Sequence, residues 1–170
     1  MGADPLTVML ESQTAGHAAE LFPLLADPAL YAYIDQAPPA SLDAFTARLR
    51  RLENRCSPDG CEQWLNWAIR LPEQGLAGYV QATVYADASA DIAYVVGSRF
   101  QRRGIASEAC RQMLNRLRAE HGVKRCYATV DRRNQASAAL LHKLGFREAS
   151  SHPHYAIEAG DALYLLEVQT

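Results

Sequence analysis

The sequence predicts one α/β domain of the α+β kind, with a mixed, mostly antiparallel central sheet flanked by helices. Three observations lead there. Successive strand-like runs in the middle of the chain are separated by short turns, the pattern of a meander. The second half alternates strand, helix, strand, helix, strand. No repeat or linker divides the chain, and 170 residues are enough for a single self-supporting core, so 1–170 reads as one unit.

Each element has a local reason. Leu6–Leu10 has strand character, and residues 15–25 place Ala18, Ala19, Leu21, Phe22 and Leu25 at helical spacing before Asp27-Pro28 ends the run. Ser41 is suited to N-cap a helix reaching about Glu53, with Leu42, Phe45, Leu49 and Leu52 on one stripe. Strands are expected over Gln63–Leu71, Ala77–Tyr85 and Ile92–Val96. The period then switches to helical from Gly104 to Glu120, where Ile105, Ala106, Ala109, Cys110, Met113, Leu114 and Leu117 share a face. Cys126–Val130 reads as a strand and Asn134–Leu144 as a helix, stopped by Gly145 in the left-handed conformation that ends helices. Ala162–Val168 is the last expected strand, after a loop of His, Pro and Gly.

Composition narrows the function classes. A chain 49% hydrophobic and 21% charged is neither disordered nor of low complexity. Its apolar runs are too short to span a bilayer, and the first ten residues lack the basic and apolar regions of a secretory signal, so the expected compartment is cytoplasmic. Residues 1–98 carry five Arg and no Lys against twelve acidic residues, whereas 99–170 carry twelve basic against seven acidic. A basic second half suits a phosphate-rich ligand, although a solvated surface has the same signature. Neither nucleic acid nor membrane is an expected partner. No metal is expected either: Cys56 and Cys61 lack a second ligand pair, Cys110 and Cys126 fall in apolar runs, and His152 and His154 read as a solvated loop.

The segment richest in chemistry runs from Tyr94 to Glu108, where a strand ends, Gln101-Arg102-Arg103-Gly104 follows, and a helix begins at Ile105-Ala106-Ser107. A helix N-terminus presents unpaired N–H groups and the positive end of its dipole, and so binds anions. Gly104 admits close backbone approach, Ala106 keeps the surface low, and Arg102 and Arg103 add rim charge. The loop is neither a Walker loop nor a dinucleotide fingerprint. An ordinary strand–helix turn with surface arginines is the alternative reading.

QRRGIA resembles the Q/R-x-x-G-x-G/A pyrophosphate loop of the GNAT acetyltransferase superfamily. Downstream, Asn134-Gln-Ala-Ser137-Ala-Ala-Leu140-Leu-His-Lys143-Leu-Gly145-Phe146 is similar to that family's second signature. With WLNWAIR, GLAGYVQ and ADIAYVV, the order and spacing are most similar to the branch that acetylates ribosomal-protein N-termini, over about Trp64–Phe146. Both cofactor signatures fall within 90–146. The resemblance implies a sheet with splayed central strands and acetyl transfer from acetyl-CoA, as acyl-donor cosubstrate, directly to a primary amine. The acceptor would be a protein N-terminus or, alternatively, a small-molecule amine such as an aminoglycoside, polyamine or amino acid. A non-catalytic CoA-binding sensor or assembly domain is the reading from another class, and a homodimer is left open.

By the same resemblance, Val95 and Val96 contact the donor through main-chain atoms. Gln101, Arg102, Arg103, Gly104, Ile105, Ala106 and Ser107 form the phosphate loop, and Asn134 and Lys143 are further donor contacts. Asp91 stands where similar enzymes often carry Glu and would accept the amine proton; one methylene shorter, it could instead cap its strand in solvent. Ser137 would protonate the departing thiolate or be a polar residue on a solvated helix face. Asn134 also suits an N-cap, and Lys143 a favourable charge at a helix end. Tyr94 and Tyr164 read as strand core. Trp64 and Trp67, three apart in one strand, face opposite sides of the sheet, one in the core and the other available to the acceptor cleft.

Overall fold

The computed structural model describes residues 6–168. Seven strands, β1 (Met9–Ser12), β2 (Gln63–Leu71), β3 (Gly75–Val84), β4 (Ser89–Val96), β5 (Arg125–Asp131), β6 (Arg147–Ala149) and β7 (Asp161–Glu167), form one sheet in the order β1-β2-β3-β4-β5-β7-β6. Only β4 and β5 run parallel; every other pair is antiparallel. Helices α1 (Ala18–Leu25) and α2 (Leu42–Leu52) cover one face, and α3 (Ile105–His121) and α4 (Gln135–Lys143) cover the other. The predicted single α/β fold with a mixed sheet is the observed one.

Side-chain alternation sorts the two faces. On β2, Leu65, Trp67, Ile69 and Leu71 enter the core beneath α3 and α4, whereas Ala68 packs with Leu21, Leu25, Phe45 and Leu49 of α1 and α2. Trp67 is therefore the core tryptophan. Trp64 is half-buried on the α1/α2 face, its Nε1 donating to Glu62 at 2.8 Å. Ser41 caps α2 as expected, its Oγ accepting from Ala44 N at 3.1 Å.

Three elements depart from expectation. The first strand is displaced to Met9–Ser12, because its register is set by pairing with Arg70–Trp67 rather than by its own apolar pattern. A short 3₁₀ turn at Ala15–His17 precedes α1, which contains Pro23. Pro23 is exposed, and so is Ala19, whose carbonyl loses its usual partner, so the loss falls on the solvent side. β6, only three residues long, carries no strand pattern of its own and forms by pairing with β7.

Candidate active site

The sheet is open at its centre. β4 pairs with β3 along its whole length, but with β5 only through Ser89–Asp91 opposite Arg125–Tyr127. Beyond those three pairs the strands part. Antiparallel ladders alternate residues that exchange main-chain hydrogen bonds with residues that do not. Tyr85 N donates to Ser89 O at 2.9 Å and Gly97 N to Ala77 O at 2.8 Å, which fixes the phase. Asp91, Ala93 and Val95 therefore spend their main-chain groups on β3, the Ile92 N–H closes the last pair with β5 at Tyr127, and the main-chain groups of Tyr94 and Val96 point into the opening. Of the two valines singled out in the sequence, Val96 has open-edge main-chain groups and Val95 does not. Strand phase, invisible in the sequence, decides this.

Because β4 and β5 run parallel, the helices that follow them begin at the same edge of the sheet. Gly104 N-caps α3 with φ 76° and ψ 4°. This left-handed residue before a right-handed helix turns successive N–H groups inward, the conformation that cradles anions. The N–H groups of Ile105, Ala106 and Ser107 have no partner within the helix, while the Ile105 side chain is buried beneath it. Arg102 also has a positive φ, 61°. The Gln101 side chain folds back, Nε2 donating to Val96 O at 3.1 Å, so it holds the loop against the end of β4. Arg103 donates to Gln74 Oε1 at 3.0 Å and lies over the Phe100 ring, which fixes one of the rim charges.

At the start of α4, Asn134 Oδ1 accepts from Ser137 N at 3.1 Å. Asn134 is thus the N-cap, with its amide NH₂ left to donate elsewhere. Ser137 Oγ lies 2.5 Å from the hydroxyl of Tyr94. Tyr94 is half-buried rather than core, and burial pushes its phenol well above the ordinary range. This Tyr94–Ser137 pair stands on the α3/α4 side of the opening. Lys143 is not brought to this group. It ends α4, eight residues beyond Gln135, about 12 Å along the axis at 1.5 Å per residue.

Asp91 lies on the opposite face, in a row with Trp64 and Thr83 across β2, β3 and β4. Its carboxylate receives three hydrogen bonds: from Tyr85 at 2.8 Å, Tyr155 at 2.9 Å and His152 Nε2 at 2.6 Å. An ionised carboxylate has about four acceptor positions, so roughly one is left. The expected solvated loop is instead a lid on this residue. The His152 side chain is fully buried, stacks on Tyr155 with centroids 3.7 Å apart, and accepts the His154 N–H at Nδ1. His154 stacks on Tyr85 at 4.1 Å and reaches Asp87 at 3.1 Å. Burial also raises Tyr155, to about 12. These residues are 61 to 64 positions from Asp91, and the only sequence signal is four aromatic or imidazole side chains, His152, His154, Tyr155 and Tyr85, flanking expected strands.

Two cysteines lie close to this machinery and are chemically quiet. Burial pushes the thiols of Cys110 and Cys126 up to about 12, which leaves them protonated near neutral pH. Cys56 and Cys61 are exposed, free thiols.

On the α1/α2 face, beside β3 and one row from Asp91, is a narrow cleft of about 20 Å³, room for about one water molecule. Gln13, Tyr31, Arg48, Asn66, Tyr79 and Gln81 provide its polar wall. The opening in the sheet thus has the Gly104 turn and the unpaired first-turn N–H groups of α3 at its edge, a hydroxyl pair on one face, and a carboxylate with a narrow polar cleft on the other.

A search of curated proteins finds no significant match. Among solved structures, the chain is similar to a spermidine N-acetyltransferase from Vibrio cholerae in complex with CoA and spermine (TM-score 0.77, 16% identity, 94% of this chain and 95% of that one). It is also similar to an acetyltransferase from Thermus thermophilus (0.73, 23%, 96% and 98%). A GNAT-family acetyltransferase from Bacillus anthracis is a further likeness (0.75, 16%, 96% and 96%). At these identities the likenesses establish the fold. The model of the acetyltransferase (GNAT) domain matches residues 7–147, most of the chain, and the protein belongs to the GNAT acetyltransferase family.

Proposed function

We propose that this protein is an N-acetyltransferase that transfers the acetyl group of acetyl-CoA directly to a primary amine. The observation that carries this reading is the parting of β4 and β5 beyond Asp91 and Tyr127. It leaves main-chain donors and acceptors unused inside a sheet, where such groups otherwise pair almost without exception. Acetyl-CoA supplies the activated acyl group as a thioester. The residues suit it: the Gly104 cradle and the first turn of α3 fit the pyrophosphate, and the Asn134 amide and the open edge at Tyr94 and Val96 fit the amide-bearing arm. A main-chain N–H on that edge fits the oxyanion of the tetrahedral intermediate.

Asp91 accepts the proton that the amine gives up on attack, through its one free acceptor position, directly or by way of a water molecule. Ser137 donates its hydroxyl proton toward the departing sulfur, and Tyr94 resupplies Ser137 across their 2.5 Å contact. The buried, protonated thiols of Cys110 and Cys126 support direct transfer rather than an acyl-cysteine intermediate.

The test is binding followed by turnover. At a hundredfold excess over its dissociation constant, acetyl-CoA should stabilise the fold by about 2.7 kcal/mol, raising Tm by roughly 5–10 °C. Gly104→Asp has room, since the nearest atom to an added Cβ is Leu6 Cδ2 at 3.9 Å. Aspartate also tolerates the left-handed conformation. The variant should fold and lose the shift by placing a negative charge at the phosphate cradle. A full shift in folded Gly104→Asp would remove the loop from the reading. CoA release on a panel of amines and peptides then tests transfer itself.

A further inference from the structure

We propose that His152 is a positioning residue of the transfer reaction: as a fixed hydrogen-bond donor it pins Asp91 Oδ1, the carboxylate oxygen left free to take the amine proton. This rests on the transferase reading above and concerns how its base is held. The two oxygens of Asp91 are not equivalent. Tyr85 and Tyr155 both donate to Oδ2, at 2.8 and 2.9 Å, whereas His152 Nε2 lies 2.6 Å from Oδ1. Each oxygen has about two acceptor positions, so Oδ2 is filled and Oδ1 has one to spare. The oxygen that receives the proton is therefore the one that His152 touches.

The proton on the ring is placed by its other nitrogen. His154 N donates to His152 Nδ1 at 3.1 Å. A backbone N–H can only donate, so Nδ1 presents a lone pair and the neutral ring carries its proton on Nε2. Pro153, between the two histidines, favours this local bond by fixing its own φ and disfavouring helical backbone at His152. The imidazole is also clamped: its side chain is fully buried, with Tyr155 stacked at 3.7 Å and Tyr127 edge-on at 4.6 Å. His152 is therefore a donor and not a relay. To pass a proton onward it would have to take one at Nδ1, where the His154 N–H already points. As the amine nitrogen bonds to the thioester carbon, its N–H proton goes to Oδ1 and the bonding pair stays on nitrogen, while the Nε2 proton stays on the ring. The remaining groups around the carboxylate are spoken for. From β5, Cys126 has its thiol pushed up to about 12 by burial, and Tyr127 packs on His152. His154 reaches Asp87 at 3.1 Å, Glu62 accepts from Trp64 Nε1, and Trp64 and Thr83 in the same row are uncharged.

The test combines NMR of the ring with turnover. In protein isotope-labelled at its histidine ring nitrogens, the His152 signals, assigned by their loss in His152→Gln, should show a protonated Nε2 and a bare Nδ1 near neutral pH. CoA release is followed with spermidine, glycinamide and a pentapeptide bearing a free N-terminal alanine. His152→Leu keeps much of the bulk but not the donor, and should lower kcat by about tenfold to a hundredfold through lost orientation. Its KM for acetyl-CoA should change less than about threefold, since the ring is not assigned to the donor. The acidic limb of its kcat profile should move to higher pH, because a hydrogen bond favouring the ionised carboxylate is gone. His152→Gln, whose amide N–H can take the place of Nε2–H, should return kcat to within about threefold of wild type and bring the limb back. A histidine that only supports the fold would leave the pH profile of the folded variants in place. The proposal is overturned if Nδ1 bears the proton, or if folded His152→Leu keeps the wild-type kcat and pH profile. It is overturned equally if His152→Gln is as impaired as His152→Leu, which would make the imidazole itself the base. Should His152→Leu fail to fold, the ring signals and His152→Gln decide. Wild type that releases CoA with none of the three amines defeats the transferase reading and the role with it; a proton on Nδ1 in an active enzyme defeats the role alone.

Discussion

Gly78 is where the open edge of the sheet is most easily disturbed. It sits opposite Val96, at the bulge where the β2–β3 register skips a residue. A Cβ added there would lie 2.0 Å from Val95 O, 2.9 Å from Val96 Cα and 3.0 Å from Val95 C. All three neighbours are backbone, so no side chain can rotate away. Reaching even 3.0 Å from the oxygen requires 1.0 Å of main-chain movement. Over-packing of this kind costs about 1–3 kcal/mol, and a backbone clash belongs at the upper end. A cost of about 3 kcal/mol lowers Tm by roughly 6–12 °C in a domain of this size. Gly60→Ala is the matched control: φ is +73°, and nothing lies within 4 Å of the added Cβ. It isolates the conformational cost, about 1 kcal/mol or 2–4 °C. Both variants would be melted by circular dichroism with and without acetyl-CoA. Gly78→Ala should melt several degrees below Gly60→Ala and lose most of its ligand-induced shift, because the relieving movement displaces Val95 and Val96. If it melts no lower than the control and keeps the full shift, β4 is not held by this contact.

The other expected outcomes concern the hydroxyl pair, the carboxylate and the far edge of the sheet. Ser137→Ala should lower kcat by about tenfold to a thousandfold and change acetyl-CoA affinity less than about threefold, since the contact strengthens only as the sulfur gains charge. Tyr94→Phe should lower kcat by about tenfold, and an unchanged kcat would leave Ser137 without a relay partner. Asp91→Asn should lower turnover by roughly a hundredfold or more. It should also lower Tm by a few degrees, because an NH₂ group then faces one of three donors. Tyr155→Phe removes one donor and should keep turnover within about threefold; an equal loss in both variants would make Asp91 a scaffold rather than a base. Glu11 is held below its ordinary 4.5, first by its hydrogen bond from Arg70 and then by His17. Its contribution to stability is therefore present above pH 4.5 and lost as pH falls through the depressed value. The Tm difference between wild type and Glu11→Gln should be largest near pH 7 and vanish in strong acid. A difference that grows on acidification would reverse the assignment.

What the sequence makes legible here is what short-range chemistry determines. Ser41 and Asn134 cap helices because the capped N–H is three residues away, and β2 declares itself through alternation over nine residues. Gly104 and the exposed first turn of α3 are equally local. The partners of Asp91 are not: His152 and Tyr155 reach it from beyond β6, and their burial depends on a chain path that only the assembled sheet determines. Val95 and Val96 are alike in sequence and differ in which neighbour their amides face, a matter of the β3 register. Tyr94 has the apolar neighbours of a core residue, and only the position of α4 brings its hydroxyl to Ser137.

The three residue pairs that join β4 to β5 are also a narrow seam in the sheet's hydrogen bonding, above one hydrophobic core shared by both sides. On one side, β1 to β4 are zipped by long antiparallel ladders; on the other, β5, β7 and β6 form a smaller sheet of their own. Among the described residues, Ser89–Asp91 with Arg125–Tyr127 is the only direct strand-to-strand seam between them. Regions joined by so little hydrogen bonding tend to open as separate cooperative units well below the free energy of global unfolding. A molecule lodged in the gap would bridge both units and make their opening depend on its release. Tightness of grip and cooperativity of unfolding would then be two readings of one seam.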